Sequence, residues 1–87
     1  MSSPRGQLAG VLPDAHQFEF RAIDRGIIKG RVDRSLSAEQ LIKFNKEWVG
    51  ADAVALIHVK RVLRKGEVLK ETFLLRALEH PKDTKGG

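Results

Sequence analysis

The segment from Ser35 to Gly50, SLSAEQLIKFNKEWVG, decides the fold, because both ends of a helix are written into it. Ser37 followed three residues later by Gln40 makes a capping box: the serine oxygen accepts from the Gln40 backbone N–H, and the glutamine side chain accepts from the N–H of Ser37. Leu36 and Leu41 hold the two staple positions around that cap. Glu39 stands in the first turn, where the helix dipole favours a negative charge, and Gly50 can take the left-handed conformation that ends a helix. Leu41, Phe44 and Trp48 recur at helical spacing and, with Ile42 or Ala38, form an apolar stripe, while Glu39, Lys43, Lys46 and Glu47 fill the other side. One face must be buried. Trp48, the only tryptophan, is expected to close one end of the core rather than to stack on a ligand.

Working outward from the helix, the flanks alternate as strands do. Residues 1–5 read as a flexible polar leader, and Gly6 to Leu12 alternates Leu8, Gly10, Leu12 against Gln7, Ala9, Val11, with Gly10 marking a bend. Pro13, Asp14 and Ala15 make a turn. In His16 to Ile23, Phe18, Phe20 and Ala22 share one face and Gln17, Glu19 and Arg21 the other. Asp24-Arg25-Gly26 is a hairpin connection, and Ile27 to Val32 returns with Ile28, Gly30 and Val32 inward and Lys29 and Arg31 outward. Beyond the helix, Ala51 to Val62 is apolar on both faces at its start and basic at its end, which suits a central strand. Leu63 to Glu67 turns the chain. Val68 to Leu78 then comes back with Leu69, Phe73, Leu75 and Ala77 on one face. Residues 79–87 read as a disordered tail, leaving a single domain over 6–78.

Composition narrows the function classes. The chain has 87 residues and no cysteine, so disulfides, thiolate zinc sites and cysteine nucleophiles are excluded, which fits a cytoplasmic protein. No apolar signal core opens the chain, and no apolar run approaches the ~20 residues that cross a membrane, so no membrane role is expected. Sixteen Lys and Arg against eleven Asp and Glu leave a net charge of +5, which attracts polyanions without identifying one.

Three strands, a helix and two strands is an order that resembles the oligonucleotide/oligosaccharide-binding (OB) barrel, whose helix plugs the barrel between its third and fourth strands. The wording FEFRA at Phe18 to Ala22, IKGRVD at Ile28 to Asp33, a capped helix and a closing basic hairpin is also similar to small domains of uncharacterised bacterial proteins. The fold class expected is thus α+β, a small five-stranded antiparallel barrel-like sheet with one helix between strands three and four; an SH3-like barrel or another α+β roll shares most of that order. The resemblance implies a ligand face on the second and third strands, flanked by the loops joining strands one to two and four to five. Arg21, Lys29 and Arg31 would lie there, with Lys60, Arg61, Arg64 and Lys65 beside it. These seven are the candidate nucleic-acid-binding residues. Outward aromatic rings are missing and there is no tyrosine, so phosphate attraction without base stacking is expected, weak, salt-sensitive and tolerant of sequence, on single- or double-stranded nucleic acid. The alternative is a protein-interaction or assembly module whose basic residues keep exposed strand edges from pairing. The sequence leaves the oligomeric state open.

Catalytic chemistry is not expected. Asp14 beside His16 is read as a turn-shaping pair, His58 as a hydrogen-bonded histidine at the core edge, and no pair of His or carboxylates has metal-site spacing, so neither a cofactor nor a metal is expected. The terminal Gly86-Gly87 is also how ubiquitin-like carriers end, but that fold places one hairpin before its helix rather than three strands. The expected core comprises Phe18, Phe20, Ile28, Leu41, Phe44, Trp48, Ile57, Phe73 and Leu75, and Phe44→Ala is expected to cost about 3 to 5 kcal/mol.

Overall fold

The structure, a computed structural model, describes residues 2–81. The capped segment is helix α1 (Ala38–Glu47), preceded by β1 (Arg5–Leu12), β2 (Gln17–Ala22) and β3 (Gly26–Val32) and followed by β4 (Asp52–Arg64) and β5 (Glu67–Glu79). Ser37 forms both bonds of the capping box, Gln40 N–H to Ser37 Oγ at 3.2 Å and Ser37 N–H to Gln40 Oε1 at 2.8 Å. The helix is capped at Trp48, whose N–H donates to the Phe44 carbonyl; Gly50, expected to end it, lies two residues further on with φ +81°, and its N–H donates to the Leu8 carbonyl of β1.

The strands close into a barrel in the order β1-β2-β3-β5-β4, with β4 returning to β1. Four of the five pairings are antiparallel and the fifth, β3 with β5, is parallel. The sheet is therefore mixed where the sequence suggested an antiparallel one. Topology requires this: a closed ring with an odd number of strands cannot alternate direction all the way round. The helical crossover from β3 to β4 sets β4 beside β1 and leaves β5 to complete the ring. This arrangement is consistent with an OB-like small barrel.

Among the described residues twelve buried apolar side chains fill the interior, including Leu8, Phe20, Val32, Leu41, Ile57 and Leu75. Phe44, Trp48 and Phe73, expected in the core, are only partly buried and pack against it. Three β-bulges decide which residues of their strands point inward. The register of β1 against β2 skips Ala9, so the phase flips: Val11 is buried and Leu12 is 59% exposed. In β5 the register skips Arg76, so Leu78 packs against the core in place of Ala77. It skips Leu69 as well, and that residue, expected inside, is 59% exposed. A skipped residue shifts everything beyond it by one place, which a strand's alternation alone does not reveal.

Past Gln7 β1 no longer pairs with β4. There the Asn45 side chain takes the place of a strand, accepting from Val11 N–H and donating to Val11 C=O, each at 2.9 Å. Within the segment read as leader, Ser2 exchanges backbone hydrogen bonds with Ile57, and the Pro4 carbonyl accepts from Ala55. Arg5 bridges to Asp52 at 2.7 Å. His80, placed by sequence in the tail, lies against Trp48 with ring centroids 4.6 Å apart. The terminal Gly86-Gly87 lies outside the described residues.

Candidate nucleic-acid interface

β4 and β5 outrun the barrel. Every residue from Lys60 to Thr72 is exposed. The two strands continue as a hairpin arm closed by Lys65 and Gly66, with φ of +53° and +80°, the paired positive angles of a tight turn that follows the twist of its strands. On the barrel side β1 contributes Ala9 to Leu12, β2 presents Gln17 and Glu19, and β3 presents Lys29 and Arg31. Between that surface and the arm runs an open groove of about 1020 Å³.

The groove gathers some of the candidate residues and separates others. Lys29 and Arg31 line it from β3 and Lys60 from the arm. Arg21 points outward one row away, opposite Gln7 and Ile27, and does not line the groove. Arg61, next to Lys60, alternates to the other face of the arm and pairs with Glu71 at 2.7 Å. Arg64 stands across from Glu67 at the arm's tip and Lys65 forms the turn, both beyond the groove. Lys70 does line it and was not among the candidates, although its outward position alongside Thr72 is readable from the alternation of β5. Lys29 lies 3.7 Å from Glu19 across the β2–β3 pair; Arg31, Lys60 and Lys70 carry no ion pair among the described residues. Arg31 also borders a smaller depression with Arg34 and His16.

His58 departs from its sequence reading, and His16 holds its turn through a partner other than Asp14. His58 alternates with the inward Ile57, so it is exposed and lines the groove rather than the core edge. His16 donates from Nε2 to the Leu36 carbonyl at 2.9 Å, pinning the β1–β2 turn to the approach of the helix instead of orienting on Asp14. Beside the site, Asp33 is held below the usual carboxylate range, first by the backbone N–H of Ser35, then by the Ser35 hydroxyl, with Arg76 adding to both. The Arg5 hydrogen bond does the same for Asp52. Among the described residues no three His, Asp or Glu side chains gather as metal ligands, and no helix is long and apolar enough to cross a membrane, which says nothing of membrane β-barrels.

All the large aromatic rings are already engaged. Phe18 and Phe20 are buried, Phe44 and Phe73 pack on the core, and Trp48 packs on the core and against His80. Phe18 and Phe73 line the groove, Phe18 buried and Phe73 partly buried against the core, so alongside its cations, hydrogen-bonding groups and aliphatic surface the groove has no ring standing free of the core. Comparison of the chain with protein-family models, with curated proteins and with solved structures found no match.

Proposed function

We propose that this protein is a non-catalytic module that binds the phosphate backbone of nucleic acid in the groove between β1–β3 and the arm. The observation that carries the reading is the convergence of Lys29, Arg31, Lys60 and Lys70 on one groove, three of them with no carboxylate partner among the described residues. Cations held along a groove follow a polyanion and release its counterions, so the interaction is sensitive to salt and indifferent to sequence. Glu19 lines the same groove and holds the affinity down, whereas Glu71 is neutralised by Arg61. Arg21, Arg61, Arg64 and Lys65 add long-range attraction from outside it.

Fluorescence-anisotropy titrations at several salt concentrations test this. Log K against log salt should be linear, and the Lys29→Ala/Arg31→Ala/Lys60→Ala/Lys70→Ala variant should lose about one unit of slope for each phosphate contact removed. Wild-type affinity and slope in that variant would sink the reading. A second reading, a protein-interaction module, has one observation in its favour: Val62, Leu63, Val68 and Leu69 expose aliphatic surface on the arm. Under it, partner binding would survive loss of the four cations.

A further inference from the structure

Phosphate binding in the groove does not account for the outer half of the arm. Leu63, Val68 and Leu69 are 60%, 56% and 59% exposed, and Leu69 has no cross-strand partner. Neither edge of the arm is covered: on its far side β4 is last bonded at Ile57, by Ser2, and β5 at Leu74 and Leu75, by β3. Aliphatic side chains grouped on so thin an element mark a contact surface. Its charge restricts the partner. Lys60, Arg61, Arg64, Lys65 and Lys70 stand against only Glu67 and Glu71, so the arm carries three of the chain's five net positive charges. A second copy of the arm would repel it, and an anionic partner would not.

Shape and chemistry narrow that partner further. A single strand bound in a groove gains much of its affinity by stacking bases on aromatic side chains, and the arm from Lys60 to Thr72 carries no aromatic residue, the nearest ring being the partly buried Phe73 at its root. A duplex stacks its bases on one another and needs no such platform. From Lys60 to the turn the arm is about 20 Å long, at ~3.3 Å per residue. A two-stranded ribbon of this kind fits the major groove of B-form DNA, ~12 Å wide, whereas the major groove of duplex RNA is too deep and narrow for side chains to enter.

We propose that the arm enters the major groove of duplex DNA, with Arg64, Lys65 and Lys70 on the flanking phosphates and Leu63, Val68 and Leu69 against base edges, thymine methyls among them. This rests on the phosphate-binding reading, with Lys29, Arg31 and Lys60 gripping the backbone at the root of the arm. The ligand class is thereby double-stranded DNA rather than single strands or RNA.

The two kinds of contact respond differently to salt, and that makes the idea testable. Lost cations flatten the salt dependence; lost apolar contacts lower affinity at every salt concentration and leave the slope alone, because they release no counterions. Anisotropy is measured with a DNA duplex of two helical turns, one of its strands, the matching RNA duplex, and vesicles of mixed anionic and neutral phospholipid. Three proteins are compared with wild type: Leu63→Ser/Leu69→Ser, a short-arm form with residues 62–70 replaced by Asn-Gly, and Lys29→Ala/Arg31→Ala/Lys60→Ala. Wild type should prefer the DNA duplex over the other three. The double serine variant should bind it about tenfold more weakly at unchanged slope, and the short-arm form, shown to be folded by its thermal transition, about a hundredfold more weakly. If the short-arm form fails to fold, the double serine variant alone decides. Wild-type duplex affinity in the short-arm or double serine form, with the root triple variant still defective, would overturn the arm's role and leave phosphate binding standing. No binding to any nucleic acid by wild type would overturn both, as would binding to the vesicles alone.

Discussion

β4 and β5 each run for 13 residues, and the two halves of the hairpin they form obey different rules. In the lower half Ala53, Ala55, Ile57 and Leu75 are buried, whereas from Lys60 to Thr72 every residue is exposed. The antiparallel pairing is the same in both halves. What differs is what lies opposite: in the barrel an alternate residue meets the interior, filled from the far side by Phe20, Leu8 and the helix residue Leu41, and in the arm it meets water. Small side chains at Ala53 and Ala55 suit a barrel of only five strands, whose narrow interior accommodates large residues from some strands only if others supply small ones. Above the rim the backbone is held by β-branched Val62 and Val68, a two-residue turn and the Arg61–Glu71 pair. Stability therefore belongs to the lower half and surface chemistry to the upper, so substitutions along the same two strands should divide by height.

The largest effect is expected at the centre of the lower half. Phe20 has no exposed surface, and Phe20→Ala should cost about 3 to 5 kcal/mol in a denaturant titration, a large share of what a domain this small has. Phe44 only packs against the core from outside, so Phe44→Ala should cost about 2 kcal/mol, below the figure its helical position alone suggested. Equal costs at the two sites would mean that the helix, and not the barrel interior, holds the fold.

Next comes the seam where arm and barrel meet. A Cβ at Gly30 would run into the Phe73 carbonyl and approach the Phe18 ring at 3.0 Å. Neither neighbour has room to move: Phe18 is buried, and the Phe73 carbonyl is backbone just before the β3–β5 pairing. Gly30→Ala should cost about 1 to 3 kcal/mol through overpacking. Under the proposed function it should also tilt the arm and weaken binding of nucleic acid by more than its stability cost implies. A fully stable variant with unchanged binding would show the seam to be slack.

How much of this was legible in the sequence follows from how local each determinant is. The capping box of Ser37 and Gln40 needs only neighbouring residues, and the helix appeared where that signal put it. The alternation of Phe18, Phe20 and Ala22 likewise placed β2 and its inward face. Ala9, Leu69 and Arg76 behave otherwise. Each is skipped by the register of its strand against a partner strand, Ala9 and Arg76 within the barrel and Leu69 in the arm, and alternation along a single strand does not reveal such a skip. The same holds for the candidate site. That Lys29, Arg31 and Lys60 face outward is readable from period-two patterning, but that they share one groove with Lys70 while Arg61 does not depends on where the arm lies over β1–β3. His58 was misplaced for a similar reason: an apolar strand reads as buried on both faces, and only closure of the barrel shows which face is outside.

Acid should act on the barrel body and spare the arm. Asp33 and Asp52 both have carboxyls lowered by their partners in the folded state, so in the unfolded chain they take up protons more readily. Their contribution is complete above the unfolded carboxylate range, about pH 4, and is lost as pH falls through the lower folded values. Asp52 is exposed and Asp33 half-buried, so salt screens the effect, more at Asp52 than at Asp33. Melting temperatures from pH 7 to pH 3 should fall less steeply for Asp33→Asn and Asp52→Asn than for wild type, with a lower starting value at neutral pH. Parallel acid limbs in all three proteins would mean that these carboxylates do not report on folding.

The smallest effects on stability are expected at the tip of the arm, and they test the comparison most severely. Leu63 faces Val68 across the hairpin, so Leu63→Ser should lose one cross-strand contact, roughly 0.2 to 1 kcal/mol. Leu69, skipped by the register and open to water, has less to lose, and Leu69→Ser should stay within about 0.5 kcal/mol of wild type. Both changes place a polar group where water already reaches, so no buried partner is left unsatisfied. A residue that contributes so little to folding yet exposes so much aliphatic surface is free to be specified by what it touches in a partner. Chemical denaturation of the two single variants settles the point: a loss above 1 kcal/mol for Leu69→Ser would mean that the tip packs on the body, and the arm would then be a covered strand pair and not a free ribbon.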